Sequence, residues 1–269
     1  MGQTADLHGK TAVVTGGSSG IGLQFCLELA RRGADIVMVS IQERELEENC
    51  ARLRDEFRVK AVPLTLDLTA PDAPDALEYF LDSNSIEPDM LINNAGIFSF
   101  NTLTDTPSGK LDCFIDLHVR AVTALSIRFA RRFCRRGNGY ILNMSSMSCW
   151  MPMPGIAMYA ATKAYIRVFT RSLHYEIRDS GVSATVACPG GIATDLFGLP
   201  DPLKRLAVRI GVLQTPQKFA RKAVGKMLRR KKQYINGWLN RFSIFFIAVQ
   251  PTWIRMQVKR LMLDRGISR

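Results

Sequence analysis

The stretch Thr11-Ala-Val-Val-Thr15, continued by Gly16-Gly-Ser-Ser-Gly-Ile-Gly22, decides the fold. A short apolar run ends in a glycine cluster, after which apolar side chains recur at helical spacing at Ile21, Phe25 and Leu29. That order predicts a strand, a tight turn and a helix. Glycines at such a turn let the backbone approach a pyrophosphate, whose charge is favoured at a helix N-terminus. A tight connection without a ligand is the alternative for the glycines alone.

Short apolar runs alternate with helix-length segments over the next 170 residues or so. The runs are residues 35–39, 61–66, 90–93, 139–143 and 183–187. This alternation predicts an α/β fold, a doubly wound parallel sheet with helices on both faces. A chain of 269 residues fits one domain. We expect a dinucleotide-binding and catalytic core over 1–202 and a basic, amphipathic helical extension of the same domain over 203–269.

The positive charge is concentrated at the C-terminal end. Residues 203–269 contain seventeen Lys or Arg and one acid, Asp264, which gives +16. Because the whole chain carries +12, residues 1–202 sum to −4. A basic surface attracts polyanions, among them acidic lipid head groups, acidic proteins and nucleic acids.

The C-terminal extension also contains apolar side chains at helical spacing. They include Trp238, Phe242, Phe245, Phe246 and Val249, in a run shorter than the ~20 residues of a spanning helix. An apolar face beside cations is typical of a helix that lies in a membrane interface. Packing on the same domain or on a second subunit is the alternative. No nucleic-acid reading motif is found, so we do not expect nucleic-acid binding.

Cysteine usage and the first residues bear on the compartment. The six cysteines are scattered without a C-x-x-C pair or His ligands at zinc spacing, so we expect reduced, mostly buried thiols and no metal site. Residues 1–10 have no apolar signal region. A cytoplasmic location, with peripheral membrane contact through 203–269, is therefore expected.

A tyrosine and a lysine mark the candidate catalytic site. In Tyr159-Ala-Ala-Thr-Lys163 the phenol and the ammonium lie one helical turn apart on one face. Ser146 lies thirteen residues before Tyr159, and Ser145 is the neighbouring candidate. A free tyrosine has a pKa of about 10, so it is a poor base at neutral pH until a cation stabilises the phenolate. Taken alone, the pair is better explained as an ordinary surface Tyr and Lys, and the serine at its interval favours the catalytic interpretation.

These motifs together resemble the short-chain dehydrogenase/reductase family, in register over about residues 8–200. The glycine loop has the spacing T-G-x-x-x-G-x-G, Asn93-Asn-Ala-Gly96 is similar to the family's N-N-A-G segment, and Pro189–Thr194 is similar to its P-G-x-x-x-T loop. The resemblance implies a Rossmann-type sheet of about seven strands. The cofactor-binding residues that it implies are Thr15, Gly16, Ser18, Ser19, Gly20, Ile21, Gly22, Ser40, Asp67, Leu68, Asn94, Ala95, Gly96, Tyr159, Lys163, Pro189, Gly190, Ile192 and Thr194.

The resemblance also implies a reaction. Tyr159 would act as general acid/base between a ketone and a secondary alcohol, Ser146 would orient the oxygen, and Lys163 would hold the nicotinamide ribose. His118 departs from the pattern, because the family has asparagine at this position of the run Ile115–Ala121. We count His118 among the catalytic candidates, as a proton relay, with a histidine satisfied by neighbouring groups as the alternative. The helices that carry His118 and Tyr159 would form a homodimer or homotetramer.

Ser40 bears on the choice of cofactor, because family members that bind NAD usually carry Asp there. The absence of an acid favours NADP(H), with NAD(H) as the alternative. Ser40 is the better candidate for a phosphate contact, and Arg44 could reach the phosphate instead. The neighbour Ile41 stands where many NADP-binding members have arginine.

The extension is similar to a family branch with a G-x-x-N-[RK]…P pattern, whose members reduce long-chain 3-ketoacyl or 3-ketosphinganine-type substrates. We therefore expect an apolar, lipid-like ketone or alcohol as substrate. The candidate apolar lining between Ser146 and Tyr159 comprises Trp150, Met151, Met153, Ile156 and Met158. The alternative from another functional class is a dinucleotide-binding sensor or interaction protein with altered catalysis.

Overall fold

A computed structural model of the chain describes residues 5–192, 214–249 and 251–260. Its strands form one parallel sheet in the order β3-β2-β1-β4-β5-β6-β7. Their bounds are β1 Thr11–Thr15, β2 Asp35–Ser40, β3 Ala61–Thr65, β4 Met90–Asn93, β5 Gly139–Met144, β6 Val182–Cys188 and β7 Gln233–Ile235. The strand order changes direction between β1 and β4. The predicted Rossmann-type sheet is confirmed, and its switch point is where such folds bind ligands.

Helices cover both faces of the sheet. They are α1 Gly20–Arg31, α2 Glu43–Phe57, α3 Ala73–Ser83, α4 Ser108–Ile115, α5 Val122–Arg136, α6 Ala157–Ile177, α7 Pro216–Leu228, α8 Trp238–Ala248 and α9 Thr252–Lys259. A π-helical turn, Asp116–Ala121, joins α4 to α5, and 3₁₀ turns lie at Met147–Trp150 and Arg178–Ser180. Along β1, Val14 and Val13 point to opposite faces, into separate apolar clusters. Both faces are therefore buried, which explains why the strands are continuously apolar.

Helix α7 and the last strand of the sheet, β7, lie beyond residue 202. Phe219, Val224 and Met227 of α7 are fully buried in the same cluster as Phe25 of α1. Strand β7 pairs with β6 and buries Tyr234. Residues 216–235 thus complete the sheet rather than extend from it. Among the described residues beyond 235, α8 and α9 combine exposed apolar side chains with cations.

Helices α8 and α9 expose a continuous set of large apolar side chains, which we call the aromatic face. It comprises Phe242, Phe245, Phe246, Val249, Trp253 and Met256, each between 43% and 68% exposed. These side chains are therefore largely open to solvent within the described part of the chain. Over the same part of the chain, no helix has the length and apolar character needed to cross a membrane.

All six cysteines are free thiols. Cys26, Cys50 and Cys188 are buried, whereas the other three, Cys113, Cys134 and Cys149, are half-buried, so fewer are buried than predicted. Within the described ranges, no three His, Cys, Asp or Glu side chains are grouped to hold a metal ion.

Candidate active site

A cavity of about 580 Å³ lies at the carboxyl ends of the strands, beside the switch point. This is the size of an ordinary cofactor or ligand site. The predicted site residues that line it are Gly16, Ser18, Ser19, Gly20, Ile21, Ser40, Asp67, Leu68, Asn94, Ala95, Gly96, Ser146, Tyr159, Lys163, Pro189, Gly190 and Ile192. The fold thus brings residues from the carboxyl ends of six strands, together with Tyr159 and Lys163 of α6, to one cavity. Thr194 lies outside the described residues.

The glycine loop leaves the N-terminus of α1 free of side-chain caps. Gly16 has a φ of +62°, and a Cβ on Gly22 would lie 1.9 Å from the Gly16 carbonyl oxygen. Neither position therefore tolerates a side chain without a backbone shift. Ser19, at the N-cap, makes no side-chain cap hydrogen bond. The first N–H groups of a helix need partners, and a pyrophosphate would supply them. The cradle therefore fits a dinucleotide.

Thr15 and Asn94 hold the glycine loop against the loop after β4. The Thr15 hydroxyl accepts hydrogen bonds from the backbone N–H groups of Asn94 and Ala95, at 3.0 and 3.1 Å. The Asn94 amide donates to the carbonyl oxygens of Thr15 and Gly16, both at 3.1 Å. Thr15 and Gly22 do not line the cavity. The structure therefore places these two predicted cofactor residues behind the wall, where they support it.

Tyr159, Ser146 and Lys163 converge on one side of the cavity. Burial raises the pKa of Tyr159, and a hydrogen bond with Ser146 opposes that rise. The Lys163 ammonium donates to the Met144 carbonyl oxygen at 3.0 Å and lies 5.6 Å from the centre of the Tyr159 ring. Burial lowers the pKa of Lys163 to about 8. The phenol is thus protonated at neutral pH, as a proton donor must be.

The choice between the two serines is decided by their contacts. Ser145 is buried, and its hydroxyl donates to the Lys163 carbonyl oxygen at 2.7 Å. Its hydrogen is therefore used within the protein to hold α6 against the end of β5. Ser146 instead contacts the Tyr159 hydroxyl. Of the two serines, Ser146 is therefore the one whose side chain contacts the predicted catalytic tyrosine.

His118 lies behind the catalytic pair and does not line the cavity. The π-helical turn carries it, and it is fully buried. Its Nε2 accepts from the Ile97 backbone N–H at 3.1 Å, and its Nδ1 lies 3.0 Å from the Thr162 hydroxyl. Burial, reinforced by the charge of Lys163, lowers the pKa of His118 to about 2. This favours the interpretation of a histidine satisfied by its neighbours over that of a proton relay.

The far end of the cavity is polar and uncharged at the end of β2. The Ser18 hydroxyl lies 2.8 Å from that of Ser40 and donates to the Gln42 side chain at 2.6 Å. Arg44 is 81% exposed, 3.7–3.8 Å from the carboxylates of Glu45 and Glu48. Among the described lining residues at this end there is no Lys or Arg. A 2′-phosphate would therefore meet hydroxyl and amide groups.

Two asparagines of the C-terminal part reach the cavity wall and were not predicted as site residues. The side chain of Asn236 accepts from the Gly190 N–H at 2.6 Å. Asn240 donates to the Asn236 carbonyl oxygen at 2.8 Å and lies directly against Gly190. We call this contact the asparagine latch. Its sequence signal was the G-x-x-N pattern, Gly237 to Asn240, which was interpreted only as a mark of substrate class.

None of the five predicted apolar side chains lines this cavity, whereas Ile156 and Met158 line a second, smaller pocket that Tyr159 also lines. The Arg167 guanidinium lies 4.5 Å above the Trp150 ring, and Trp150 packs with the buried Ile166 and Cys188. Apolar side chains from other elements that do line the cavity include Ile97, Cys113, Leu117 and Met144. They come from the loop after β4, from the α4 region and from β5, elements that the sequence pattern did not connect with substrate.

The sequence matches the family described as short chain dehydrogenase over residues 10–200. The chain belongs to the short-chain dehydrogenase family. The predicted resemblance is confirmed. The family's solved members include a short-chain dehydrogenase from Sphingobium yanoikuyae in complex with NADPH, which is 28% identical with a TM-score of 0.76 and covers 97% of this chain and 96% of its own. A 7beta-hydroxysteroid dehydrogenase structure reaches a TM-score of 0.82 at 25% identity, covering 95% and 97%.

Relatives by sequence carry different names. Very-long-chain 3-oxoacyl-CoA reductase from Macaca fascicularis is 28% identical over 93% of this chain and 78% of its own length. Inactive hydroxysteroid dehydrogenase-like protein 1 from Homo sapiens is 28% identical over 94% and 77%. "Probable oxidoreductase EphD" from Mycobacterium tuberculosis is 32% identical over 73% of this chain, which spans only 33% of that protein.

Proposed function

We propose that the protein is an oxidoreductase that uses NADP(H), with NAD(H) as the weaker alternative, to reduce a ketone or oxidise a secondary alcohol. The observation that carries this proposal is the convergence of Ser146, Tyr159 and Lys163 on one side of a dinucleotide-sized cavity. Bound nicotinamide would supply or accept the hydride. The residues of the chain would bind the substrate oxygen and move the proton.

The contacts support separate tasks for the three side chains. Ser146 is placed to hydrogen-bond the substrate oxygen and orient it towards Tyr159. The Tyr159 phenol, kept protonated by burial, donates its proton to that oxygen during reduction. Lys163 is held by the Met144 carbonyl at the cavity wall, where its charge stabilises the phenolate left behind. The same ammonium is available to a ribose hydroxyl.

The preference for NADP(H) rests on the absence of an acid at the end of β2. Ser40, Ser18 and Gln42 offer hydroxyl and amide hydrogen bonds to a 2′-phosphate and no repulsive carboxylate. Asp67 lies farther along the wall, where the family resemblance places the adenine amino group. Solved relatives with NADPH support a nicotinamide dinucleotide as the cofactor.

An apolar, long-chain ketone is the substrate class that we propose. The support comes from the relative named very-long-chain 3-oxoacyl-CoA reductase, which aligns with most of this chain. The apolar side chains of Ile97, Leu117 and Met144, which line the same cavity as Tyr159, are chemically compatible with such a substrate.

The test compares binding with turnover. NADPH and NADH are titrated by fluorescence, and 3-ketoacyl substrates of increasing chain length are then assayed with wild type, Tyr159→Phe and Tyr175→Phe. Tyr175 serves as the control, because it is an exposed tyrosine of the same helix whose hydroxyl accepts a hydrogen bond from Lys232. We expect Tyr159→Phe to bind NADPH normally and to lose at least about 100-fold in kcat, within the range of general acid catalysis. Equal turnover of the two variants would refute the mechanism.

The second candidate is a dinucleotide-binding sensor with altered catalysis. It is favoured by His118 in place of the family's asparagine and by the relative named as inactive. NADPH binding without turnover of any ketone in the same assay would support this candidate over the first.

We propose in addition that the aromatic face contacts an anionic membrane surface. The six side chains are exposed, the Phe246 ring contacts those of Phe242 and Phe245, and exposed apolar patches mark interaction sites. Residues 214–260 contain twelve Lys or Arg and no acid, and Arg241 and Arg260 are exposed beside the patch. Apolar side chains with adjacent cations suit the boundary between acyl chains and anionic head groups.

Vesicle sedimentation tests this contact without reference to catalysis. Wild type should bind phosphatidylcholine vesicles that contain phosphatidylserine, and high salt should weaken the binding. Phe245→Asp combined with Phe246→Asp should abolish it, whereas Tyr79→Asp should not, because Tyr79 is equally exposed on the distant helix α3. Loss of a dimer instead of vesicle binding in the double variant would assign the aromatic face to a second copy of the chain.

We propose that the protein self-associates through α5 and α6, as the family resemblance implies. Exposed apolar side chains on this side, Tyr165 and Val168 of α6, support the proposal. Sedimentation velocity of wild type and Val168→Glu tests it, since an unchanged sedimentation coefficient in the variant would exclude this interface.

A further inference from the structure

A chain of hydrogen bonds connects the loop after β4 with the backbone of Tyr159. The Ile97 N–H donates to Nε2 of His118 at 3.1 Å, and the Thr162 hydroxyl donates to the Tyr159 carbonyl oxygen at 3.0 Å. Nδ1 of His118 and the Thr162 hydroxyl oxygen lie 3.0 Å apart and close the chain. The chain starts at the wall of the cavity and ends in the turn that carries Tyr159 and Lys163.

The directions of these bonds fix the protonation state of His118. Because a backbone N–H can only donate, Nε2 must be without a proton. The neutral ring then carries its proton on Nδ1 and donates it to Thr162. The single hydroxyl hydrogen of Thr162 is thereby free for the Tyr159 carbonyl, where the geometry places it. All three bonds point from the loop to the helix, an arrangement in which hydrogen bonds reinforce one another.

The surroundings exclude the charged form of the ring. His118 has no exposed surface, and Lys163 is the charged group that faces it. Phe114 contacts its ring edge-on at 5.5 Å between ring centres, and Tyr159 does so at 6.1 Å. A Cβ on Gly96 would lie 2.9 Å from Nε2. The imidazole therefore fills the space between the loop after β4 and helix α6.

We propose that His118 is a positioning residue that, in its neutral Nδ1–H form and together with Thr162, fixes the loop at Gly96–Ile97 relative to Tyr159. It does not carry protons to the site. Both ring nitrogens are occupied within the protein, so a relay would require the chain to break at each turnover. The family's asparagine is thus replaced by a longer side chain that spans the gap to Thr162. The catalytic consequence rests on the proposed function, whereas the protonation state does not.

Nuclear magnetic resonance of the imidazole nitrogens tests the protonation state directly. The chain has three histidines, and the signals of His118 are those lost in His118→Gln. We expect a neutral ring with the proton on Nδ1 and no titration between about pH 5 and pH 9. A ring that titrates in this range, or one protonated on Nε2, would overturn the proposal whatever the activity of the protein.

Variants of both partners test the positioning role. A glutamine at position 118 places its carbonyl oxygen as many bonds from Cα as Nε2, so His118→Gln keeps the acceptor for Ile97, whereas His118→Phe keeps only the ring shape. Thr162→Val removes the hydroxyl at constant shape, and Thr162→Ser retains it. We expect His118→Phe and Thr162→Val to lower kcat by about 10- to 100-fold per folded molecule, with less than about threefold change in the Kd of NADPH. Gln and Ser should recover most of the loss.

The outcomes separate this inference from the proposed function. Wild type without turnover on any ketone would refute the proposed function, while the resonance experiment would still decide the state of His118. A fall in thermal stability with kcat unchanged per folded molecule would overturn the positioning role. A shifted pH profile in His118→Phe, with Thr162→Val equal to wild type, would restore the relay.

Discussion

Phe219 provides the most direct test of whether the C-terminal part belongs to the folded core. Its side chain is fully buried between Phe25 of α1, at 6.3 Å between ring centres, and Tyr234 of β7, at 5.4 Å. Truncation of a buried phenylalanine to alanine removes its transfer free energy and leaves a cavity, at a cost of about 3–5 kcal/mol. Because both aromatic partners lose their contact, we expect Phe219→Ala to cost a value in this range.

The assay is equilibrium unfolding by urea, followed by thermal unfolding. For a domain of this size each kcal/mol lowers Tm by about 2–4 °C, so Tm should fall by roughly 6 °C or more. The matched control is Phe245→Ala, since Phe245 is 68% exposed and should change the free energy of unfolding by less than about 0.5 kcal/mol. A Phe219→Ala protein within 1 kcal/mol of wild type, on the order of a surface change, would refute the assignment of α7 to the core.

Three further predictions concern the cofactor site. Ser40→Asp puts a carboxylate where the Ser40 hydroxyl meets Ser18 at 2.8 Å, so NADPH affinity should fall at least about tenfold while NADH affinity is kept; fluorescence titration, with Ser40→Asn as the neutral control, measures both. Gly22→Ala forces a Cβ to 1.9 Å from a backbone oxygen and should lower the free energy of unfolding in urea by about 1–3 kcal/mol. The control is Gly225→Ala in α7, where the new Cβ meets no atom within 4 Å and should raise the free energy of unfolding by about 0.5–1 kcal/mol. Burial lowers the pKa of Lys163 to about 8, so its positive charge is lost as pH rises through that value. The Kd of NADPH should therefore increase above pH 8 in wild type but not in Lys163→Arg, whose side chain stays charged. A wild-type Kd that does not change with pH, or the same pH dependence in Lys163→Arg, would contradict this prediction.

The contribution of Lys163 to the free energy of unfolding changes with pH in the opposite direction to that of an ion-paired lysine. Its folded pKa, about 8, lies below the ordinary 10.5 because burial penalises the charge. Between these two values the unfolded chain binds more protons than the folded one, so the stability contribution of this group improves as pH rises. The site therefore retains a charge that costs folding free energy below pH 8, as expected for a functional group.

The architecture was predictable because the apolar runs of the strands and the helical spacing between them are both local features of the sequence. Strands buried on both faces read as continuous apolar runs, and six of the seven were located from them to within one or two residues. Strand β7 has only three residues and follows the cluster Arg229–Lys232, so no period could reveal it. The π-helical turn that carries His118 likewise has no sequence signal, since its residues are ordinary helix formers.

The site was predictable where spacing along one element determines it. Tyr159 and Lys163 share a helical face, and the family resemblance supplied the thirteen-residue interval to Ser146. Contacts between distant segments were not predictable. The guanidinium of Arg167 covers Trp150 from another element, and this removes Trp150 from the cavity. The bond of His118 to Thr162 spans 44 residues in the same way.

The asparagine latch makes the C-terminal part a component of the cofactor site, and Asn236→Ala tests this. Asn236 is buried, and its side chain is the acceptor for the Gly190 N–H at the cavity wall. Truncation leaves a buried donor without a partner, which costs about 1–3 kcal/mol, and it loosens the wall that α8 holds in place. NADPH affinity should therefore fall about tenfold, while Asn84→Ala on the exposed end of α3 should leave it unchanged.

Vesicle binding by the Asn236→Ala variant tests whether membrane contact and NADPH binding depend on the same side chain. The aromatic face lies on α8 and α9, beyond the latch, so its contact with anionic vesicles should persist in the variant. A variant that binds vesicles but has lost NADPH affinity would mean that the same short segment holds the cofactor wall on one side and presents the aromatic face on the other. Unchanged NADPH affinity would show instead that the cavity wall does not depend on the Asn236 side chain.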